Sequence, residues 1–302
     1  MRFTDLHCDT LYKAVIENKS LNESSYEVSV SRGKEFSCWT QCMAIWIPDD
    51  LSAENQMRLY LRAQEHLSQQ SKTFNIPVVT NTDEYNNNNH KFIFTVENGA
   101  FLAGDLRNIE LLRKHNVRML TLTWNGENCI GGGAKAQYKG LTDFGRACVK
   151  ELENSNITID ISHASDRLFS DVAEIAAKPL VASHSDSRTL CPNMRNLTDE
   201  QFEIIRKSRG LVGLNFHREF LSPASEKASI KDVLLHAEHF LSLGGEDVLC
   251  IGSDFDGSDI PSDLNSLDKI PILYEEFLKI GYNEQLVQKI MFYNAHNFFS
   301  VF

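Results

Sequence analysis

Short runs of apolar residues alternate along the chain with longer amphipathic stretches. Eight of these runs have the length, and the content of β-branched and aromatic residues, that is typical of buried strands. Polar or turn-forming residues bound each run. The pattern therefore predicts eight short β-strands, near residues 3–7, 38–47, 92–96, 117–123, 157–162, 179–183, 211–216 and 247–252.

The stretches between these runs have helical spacing and recognisable helix start signals. A serine or threonine stands where each of three helices begins, and two of the three have a glutamine or an aspartate three residues later. The residues from about 284 onward predict further helices, packed on the outside of the domain. The three start signals are Ser52, Thr198 with Gln201, and Ser229 with Asp232.

An eightfold strand and helix alternation favours an α/β fold of the (β/α)8 TIM-barrel type. An open, doubly wound sheet is the alternative that the same alternation permits. No repeat or Pro-rich linker divides the 302 residues. We therefore predict one barrel domain over residues 1–302, with extra C-terminal helices.

The net charge and the cysteines limit the cell compartments and the classes of binding partner that fit this chain. The formal net charge is -11, which argues against nucleic acid or an anionic membrane surface as a partner. The seven cysteines form no C-x-x-C pair, which favours reduced thiols. No stretch predicts a signal peptide or a membrane span. These features predict a cytoplasmic protein, although a leader removed from the N-terminus would leave no trace.

Polar residues follow five of the predicted strands, where a barrel carries its active site. Each residue alone is more commonly a structural side chain than a ligand. Together their charges would repel one another unless cations or protons neutralised them. Imidazole and carboxylate without thiolate suit zinc or, as alternatives, manganese, iron or cobalt. The residues are His7, Asp9, Glu97, His163, His184 and Asp254.

The spacing of the first motif is informative in itself. Side chains alternate along an extended chain, so His7 and Asp9 face the same side and can hold one metal from a single strand. Cys8 lies between them and is expected to point away, into the packing of the barrel.

At this point the chain resembles a known family, the membrane (renal) dipeptidases. The match covers nearly the whole chain in the same order, and the ordered set is far more specific than any one motif. The segments that carry it are DLHCDTL at 5–11, TVENGAFL at 95–102, RMLTLTWN at 118–125, KGLTDFGRACVKEL at 139–152, IDISHASD at 159–166, ASHSDSR at 182–188, RNLTD at 195–199, GLNF at 213–216 and GSDFDG at 252–257.

The resemblance implies a binuclear zinc peptidase with two Zn²⁺ per chain. His7 and Asp9 would bind one ion, His163 and His184 the other, and Glu97 would bridge both. Two zinc ions about 3.5–4 Å apart can share a bridging water and lower its pKa, which provides a hydroxide for attack on the peptide carbonyl of a dipeptide.

The resemblance also assigns two residues outside the ligand set. Asp254 would be catalytic, taking the proton of the attacking water and passing it to the departing amine. Arg195 would bind the terminal carboxylate of the substrate, for which its forked guanidinium is suited. Tolerance of a D-residue at the C-terminal position is implied as well, and homodimerisation is left open.

Two substrate-binding positions depart from the family pattern. Trp124 stands where many members have a histidine that polarises the scissile carbonyl, and Asn125, Asn128 or His217 are candidates to compensate for it. Phe220 stands where the family can carry a tyrosine that assists the arginine. Both departures concern the substrate rather than the metals.

Three functions therefore remain open at the level of sequence. The first is a zinc dipeptidase. The second keeps the metals but acts on another small amide or a lactam, since one fold hosts many reactions. The third is a non-catalytic metal-binding protein, which the complete ligand set disfavours.

Overall fold

A computed structural model of the chain describes residues 1–83 and 89–301, and its eight parallel strands close into a barrel. Each strand pairs with the next, and β1 also pairs with β8. This closure excludes the open sheet and confirms the predicted (β/α)8 barrel with all eight strands. The strands are β1 (Arg2–Asp5), β2 (Cys38–Trp46), β3 (His90–Glu97), β4 (Val117–Thr121), β5 (Thr158–Asp160), β6 (Val181–Ala182), β7 (Leu211–Leu214) and β8 (Leu249–Ile251).

Helices follow every strand in the described chain and cover the barrel. They are α1 (Thr10–Glu17), α2 (Val30–Gly33), α3 (Ala53–Phe74), α4 (Arg107–Lys114), α5 (Asp143–Asn154), α6 (Asp166–Ile175), α7 (Asp199–Lys207), α8 (Arg218–Leu221), α9 (Ile230–Ser242), α10 (Ile270–Lys279), α11 (Glu284–Gln288) and α12 (Asn294–Val301). Short 3₁₀ turns occupy Gly99–Leu102, Ser225–Lys227 and Leu267–Lys269, and a π turn at Lys289–Tyr293 joins α11 to α12. Within the part of the chain that is described, no helix combines the length and apolarity needed to cross a membrane.

The three helix start signals are confirmed. The Ser52 hydroxyl accepts a hydrogen bond from the Asn55 amide at 3.3 Å, where α3 begins. Thr198 and Gln201 satisfy each other's backbone amides before α7, and the Asp232 carboxylate accepts the Ser229 amide at 2.9 Å before α9. Each cap satisfies amides that the first helical turn leaves without an intrahelical partner.

The last helix lies at the end of the barrel rather than on its outside, which corrects the prediction for that segment. The Asn294 side-chain amide donates to the carbonyl of Leu249, the first residue of β8, at 2.7 Å. Ala295, Phe298 and Phe299 belong to an apolar cluster that also contains residues of six different strands, which can meet only inside the barrel. These apolar side chains are buried in the barrel interior, and α12 therefore closes the end of the barrel where the strands begin.

At the opposite end, a buried aspartate helps close the barrel. The backbone register between β1 and β8 consists of one pair, Asp5 with Ile251. The Asp5 carboxylate adds to it by accepting the Ser253 amide at 2.9 Å, the Ser253 hydroxyl at 2.6 Å and the Gln41 side-chain amide at 2.9 Å. One carboxylate therefore joins three neighbouring strands.

Asp160 does the same on the far side of the barrel. It accepts the Ser183 amide at 2.9 Å, the Ser183 hydroxyl at 2.6 Å and the Thr121 hydroxyl at 2.6 Å. It joins β5 to β4 and β6, so two aspartates fix the strand ends that carry the polar residues of the sequence motifs.

Close backbone approach at this end explains two glycines. A Cβ atom placed on Gly213 would lie 2.0 Å from the Ser183 carbonyl oxygen, and one on Gly252 would lie 1.8 Å from it. Both distances are far inside van der Waals contact, so β6, β7 and β8 can converge only if these two positions lack a side chain.

We expect Asp5→Ala to lower the free energy of unfolding by about 2–3 kcal/mol, because it leaves buried hydroxyl and amide donors without an acceptor. Urea unfolding of the metal-free protein measures the change. Glu54→Ala is the control, since Glu54 pairs with Arg58 on the surface, and such a pair contributes about 0.5 kcal/mol. Equal losses in the two variants would contradict the role given to Asp5.

Candidate metal centre

The structure brings all five predicted metal ligands together at the carboxyl ends of the strands. The His163 Nε2 atom lies 2.8 Å from Glu97 Oε1 and 3.0 Å from His184 Nε2. The His184 Nε2 atom lies 3.8 Å from the same glutamate oxygen. Each of these side chains is buried. One group of ligand atoms therefore surrounds Oε1 of Glu97.

A second group surrounds the other carboxylate oxygen. Glu97 Oε2 lies 3.6 Å from His7 Nε2, which is 3.3 Å from Asp9 Oδ2 and 3.8 Å from Asp254 Oδ1. His7 is close enough to share a metal ion with Asp9 and Asp254 or with Glu97 and His184. Glu97 thus presents one oxygen to each group.

Hydrogen bonds at Nδ1 orient the two histidines of the first group. His163 Nδ1 lies 3.0 Å from the Asn125 side-chain oxygen, which can only accept, so Nδ1 carries the proton. His184 Nδ1 lies 2.7 Å from the Ser183 hydroxyl, which already donates to Asp160 and therefore accepts here as well. Both Nε2 atoms consequently present lone pairs, the form in which imidazole binds metals.

These lone pairs create an electrostatic problem that a cation would relieve. Two Nε2 lone pairs and a carboxylate oxygen converge in a buried space, where repulsion is weakly screened. The His7 Nε2 and Asp9 Oδ1 atoms are also buried and have no hydrogen-bond partner in the described part of the chain. Nitrogen and oxygen donors arranged in this way fit divalent metal ions.

The pKa shifts have the same physical origin. Burial raises the pKa of Glu97, and the charge of Asp9 raises it further. Burial lowers the pKa of His7, but the carboxylates of Asp9, Glu97 and Asp254 outweigh this and raise it to about 10. Without metal, the cluster therefore retains protons on atoms that would otherwise be ligands.

Burial lowers the pKa of His163 and that of His184 well below the usual value. Both imidazoles are consequently neutral at pH 7, which agrees with the tautomers deduced from their hydrogen bonds.

Asp254 lies at the edge of the cluster and is held there by its backbone and by a neighbour. Its φ angle is 62°, in the left-handed region that non-glycine residues seldom adopt. Its Oδ2 atom accepts a hydrogen bond from the Asn215 side chain at 3.1 Å. Burial raises the pKa of Asp254, so this carboxyl group binds a proton more readily than an exposed aspartate does.

Arg195 is buried beside this group and keeps donors free. Its guanidinium carbon lies 5.2 Å from the centre of the Phe220 ring. Its Nε and Nη2 atoms have no hydrogen-bond partner among the described residues. Burial lowers the pKa of Arg195 to about 10, against the opposing effect of Asp254, so the side chain is still a cation at pH 7. A buried cation with unused donors suits an anionic ligand.

A pocket of about 280 Å³ opens over the cluster. Both residues that depart from the family pattern, Trp124 and Phe220, lie on its wall together with His217 and Asn125, whereas Asn128 is held in a loop by bonds from its side-chain amide to Asn98 and to the Leu122 carbonyl. The lining residues are Asp9, Tyr12, Trp46, Glu97, Trp124, Asn125, His163, His217, Phe220, Asp254, Asp256, Gly257 and Ser258.

Other sequence expectations can be compared with this geometry. Cys8 is buried in the main apolar core, with its Sγ atom 3.9 Å from Met43 Sδ, so it points away from the ligand cluster as predicted. All seven cysteines are free.

Four residues that shape the site were not singled out from the sequence. Asp160 and Ser183 lie inside two of the segments that carry the resemblance. Trp46 ends β2, and Tyr12 lies in the first turns of α1. The strand-end rule that found the ligands would have found Trp46 had apolar residues been searched as well.

A family model, two solved structures and a curated relative are similar to this chain in sequence or in fold. Residues 1–301 match the family model described as "Membrane dipeptidase (Peptidase family M19)". A solved dipeptidase, described as a metallopeptidase of family M19, is 28% identical, with a TM-score of 0.92 over 99% of this chain and 98% of that one.

A metallopeptidase from Rhodobacter sphaeroides, solved with a phosphinate mimic of the dipeptide L-Ala-D-Ala, is 27% identical, with a TM-score of 0.90 over the same shares of the two chains. Mouse Dipeptidase 3 is 27% identical over 88% of this chain. The chain spans 56% of the length of that mouse protein.

We expect removal of metal to lower the melting temperature more at pH 8 than at pH 5. At pH 5 protons neutralise part of the cluster, because the pKa of Glu97 and that of Asp254 are raised. A rise to pH 8 favours the ionised carboxylates, which repel each other unless a cation is present, and it reduces the competition of protons for the ligand atoms. Differential scanning calorimetry of metal-loaded and chelator-treated protein at both pH values measures this difference. A larger metal effect at pH 5 would contradict the explanation.

Proposed function

The chain belongs to the membrane dipeptidase family, peptidase family M19, and on this premise we propose that it hydrolyses dipeptides with two zinc ions. The observation that carries the proposal is the arrangement around Glu97, whose two oxygens face different ligand atoms: Oε1 faces His163 and His184, and Oε2 faces His7. A carboxylate in this position is suited to bridge two metal ions.

In this proposal, His7 and Asp9 hold one zinc ion, and His163 and His184 hold the other. Asn125 and Ser183 keep the Nε2 lone pairs of the two latter histidines directed into the cluster. When bound, the pair of ions supplies a water molecule of lowered pKa and Lewis acidity toward the peptide carbonyl. Proton transfer and substrate binding depend on side chains of the protein.

Asp254 is the proposed proton carrier. Its Oδ1 atom lies 3.8 Å from His7 Nε2, at the mouth of the ligand cluster and on the wall of the pocket. Its raised pKa favours uptake of a proton, and peptide cleavage needs that proton again at the departing amine. The bond from Asn215 holds Oδ2, which leaves Oδ1 directed toward the site of reaction.

Arg195 is the proposed partner of the substrate's terminal carboxylate. It is the buried cation beside the cluster, and its free Nε and Nη2 atoms can form the bidentate pair that carboxylates favour. Phe220 stacks on the guanidinium and has no hydroxyl, so it orients Arg195 without adding a hydrogen bond to the substrate. The pocket of about 280 Å³ is slightly smaller than the usual range of about 300–1,000 Å³, which favours a small substrate such as one of two residues.

We also propose that the chain accepts a D-residue at the C-terminal position. The support is the solved relative from Rhodobacter sphaeroides, whose bound ligand is a phosphinate mimic of L-Ala-D-Ala. A carboxylate anchored at Arg195 fixes one end of the dipeptide, while the configuration of the last residue changes only where its side chain points.

Chelation should abolish dipeptide hydrolysis, and zinc should restore it. Asp254→Asn should lower kcat by about 10²–10⁴, the usual contribution of a positioned general acid or base, while zinc content stays at two per chain. Elemental analysis and steady-state kinetics on L-Ala-L-Ala and L-Ala-D-Ala measure both. Asp247→Asn is the matched control, because that carboxylate is exposed and pairs with Lys289.

Full activity of Asp254→Asn would refute its role in proton transfer. Preferred hydrolysis of an N-acylated amino acid or a lactam over every dipeptide would favour the alternative amidohydrolase function. Two bound metals without turnover of any amide would leave a non-catalytic metal-binding protein.

Arg195→Lys should reduce the preference for a free substrate carboxylate. We expect kcat/KM for L-Ala-L-Ala to fall by about 10- to 100-fold, because a lysine loses the bidentate geometry and the stacking on Phe220. The rate on L-alanyl-L-alaninamide, which has no carboxylate, should change little. Arg58→Lys, on the surface of α3, is the control. A parallel loss on both substrates would indicate a structural role instead.

A further inference from the structure

Two of the chain's three tryptophans lie on the wall of the pocket, and they form part of a continuous row of rings. The rings of Tyr12 and Trp46 meet edge to face at 5.0 Å between centroids. Those of Trp46 and Trp124 are 4.9 Å apart, and Trp124 lies 6.2 Å from the ring of His163. We call Tyr12, Trp46 and Trp124 the aromatic wall.

The position of this wall follows from the order of the strands. Its three residues come after β1, at the end of β2 and after β4, so they occupy one half of the barrel mouth. Arg195 and Phe220 follow β6 and β7, in the opposite half. The ligand cluster takes residues from both halves, with His7 and Glu97 at β1 and β3 and with His163 and His184 at β5 and β6, so it spans the middle of the mouth. A dipeptide whose carboxylate pairs with Arg195 therefore extends its N-terminal residue toward the aromatic wall.

Backbone hydrogen bonds from a later part of the same loop fix the segment that carries Trp124. The Gly133 amide donates to the Gly126 carbonyl at 2.7 Å, and the Lys135 amide donates to the Asn125 carbonyl at 2.8 Å. A Cβ atom on Gly133 would lie 1.8 Å from the Trp124 carbonyl oxygen, so the backbone at Gly133 is in direct contact with the backbone at Trp124. The ring of Trp124 is thus placed before any ligand arrives, which limits the ordering cost of binding.

The chemistry of the wall favours an apolar partner. All three side chains are half-buried, so each presents part of a ring to the pocket. Asp49, the carboxylate that contacts the Trp124 loop, is already engaged: Oδ1 accepts from Asn98 at 2.7 Å and Oδ2 from the Gly126 amide at 3.0 Å. It is therefore satisfied without a cationic substrate side chain. Partly exposed aromatic rings gain most from burying another apolar or aromatic group.

We infer that the aromatic wall binds the side chain of the N-terminal residue of the substrate and selects large apolar residues there, aromatic ones above all. This inference rests on the proposed dipeptidase function and adds the substrate class. Trp124 then acts in specificity, as a contact surface for the substrate.

The test is a series of dipeptides with alanine fixed at the C-terminus and Phe, Leu, Ala or Lys at the N-terminus. We expect kcat/KM for Phe-Ala to exceed that for Ala-Ala by about tenfold or more, a usual gain for filling an apolar pocket. Trp124→Ala should lower kcat/KM for Phe-Ala by about tenfold and that for Ala-Ala by less than about threefold. Trp46→Phe, which keeps an aromatic ring, should retain most of the preference.

Phe220→Leu is the matched variant on the opposite side of the pocket. It should change the ratio between Ala-Phe and Ala-Ala, in which the C-terminal residue varies, and leave the ratio between Phe-Ala and Ala-Ala unchanged. A second readout is the affinity of phosphinate mimics of Phe-Ala and Ala-Ala, measured by intrinsic tryptophan fluorescence. The Phe mimic should bind more tightly, and Trp124→Ala should remove the difference.

The outcomes separate the inference from the function on which it rests. If zinc-loaded protein cleaves no dipeptide, the proposed function fails. If it cleaves dipeptides but Phe-Ala and Ala-Ala react equally, if Lys-Ala is preferred, or if the preference survives Trp124→Ala, the role of the aromatic wall is wrong while the dipeptidase function stands.

Discussion

The structure depends on one electrostatic constraint, the convergence of lone pairs and carboxylate oxygens around Glu97. The Nε2 atoms of His163 and His184 lie 3.0 Å apart and both face the same glutamate oxygen. Such a group is unfavourable in a buried space unless positive charge is present. The surrounding fold therefore has to hold side chains in positions that their own interactions oppose.

The means of holding them are visible at the strand ends. Asp5 and Asp160 each join three neighbouring strands and so fix the segments that carry His7 and His184. His163 has a φ angle of 65°, in the left-handed region, and such residues cost about 1–3 kcal/mol each. The closed barrel, filled by apolar side chains and closed at its other end by α12, supplies the rigidity that keeps this conformation.

The sequence predicts the barrel, and it predicts that the candidate ligands lie together at one end of it, because both follow from strong local rules. Eight apolar runs mark the strands, and a polar residue such as Glu97 or His184 after a run lies at the site. The position of α12 could not be predicted, because an amphipathic helix does not reveal whether it covers the outside of a barrel or one of its ends. Nor could the different fates of Asn125 and Asn128, which have the same chemistry three residues apart: one orients His163, while the other holds its own loop.

The aromatic wall shows the same limit from another side. Tyr12, Trp46 and Trp124 belong to three separate segments, and nothing in their spacing indicates that their rings meet. Their contact depends on the curvature of the barrel and on the close approach at Gly133.

Two groups of residues around the mouth of the barrel therefore have different roles. Residues whose charges constrain one another make up the ligand cluster, and there a substitution changes the electrostatics of the whole group. The rings stand beside that cluster, so we expect a change at Trp124 or Phe220 to alter mainly which substrate side chain fits.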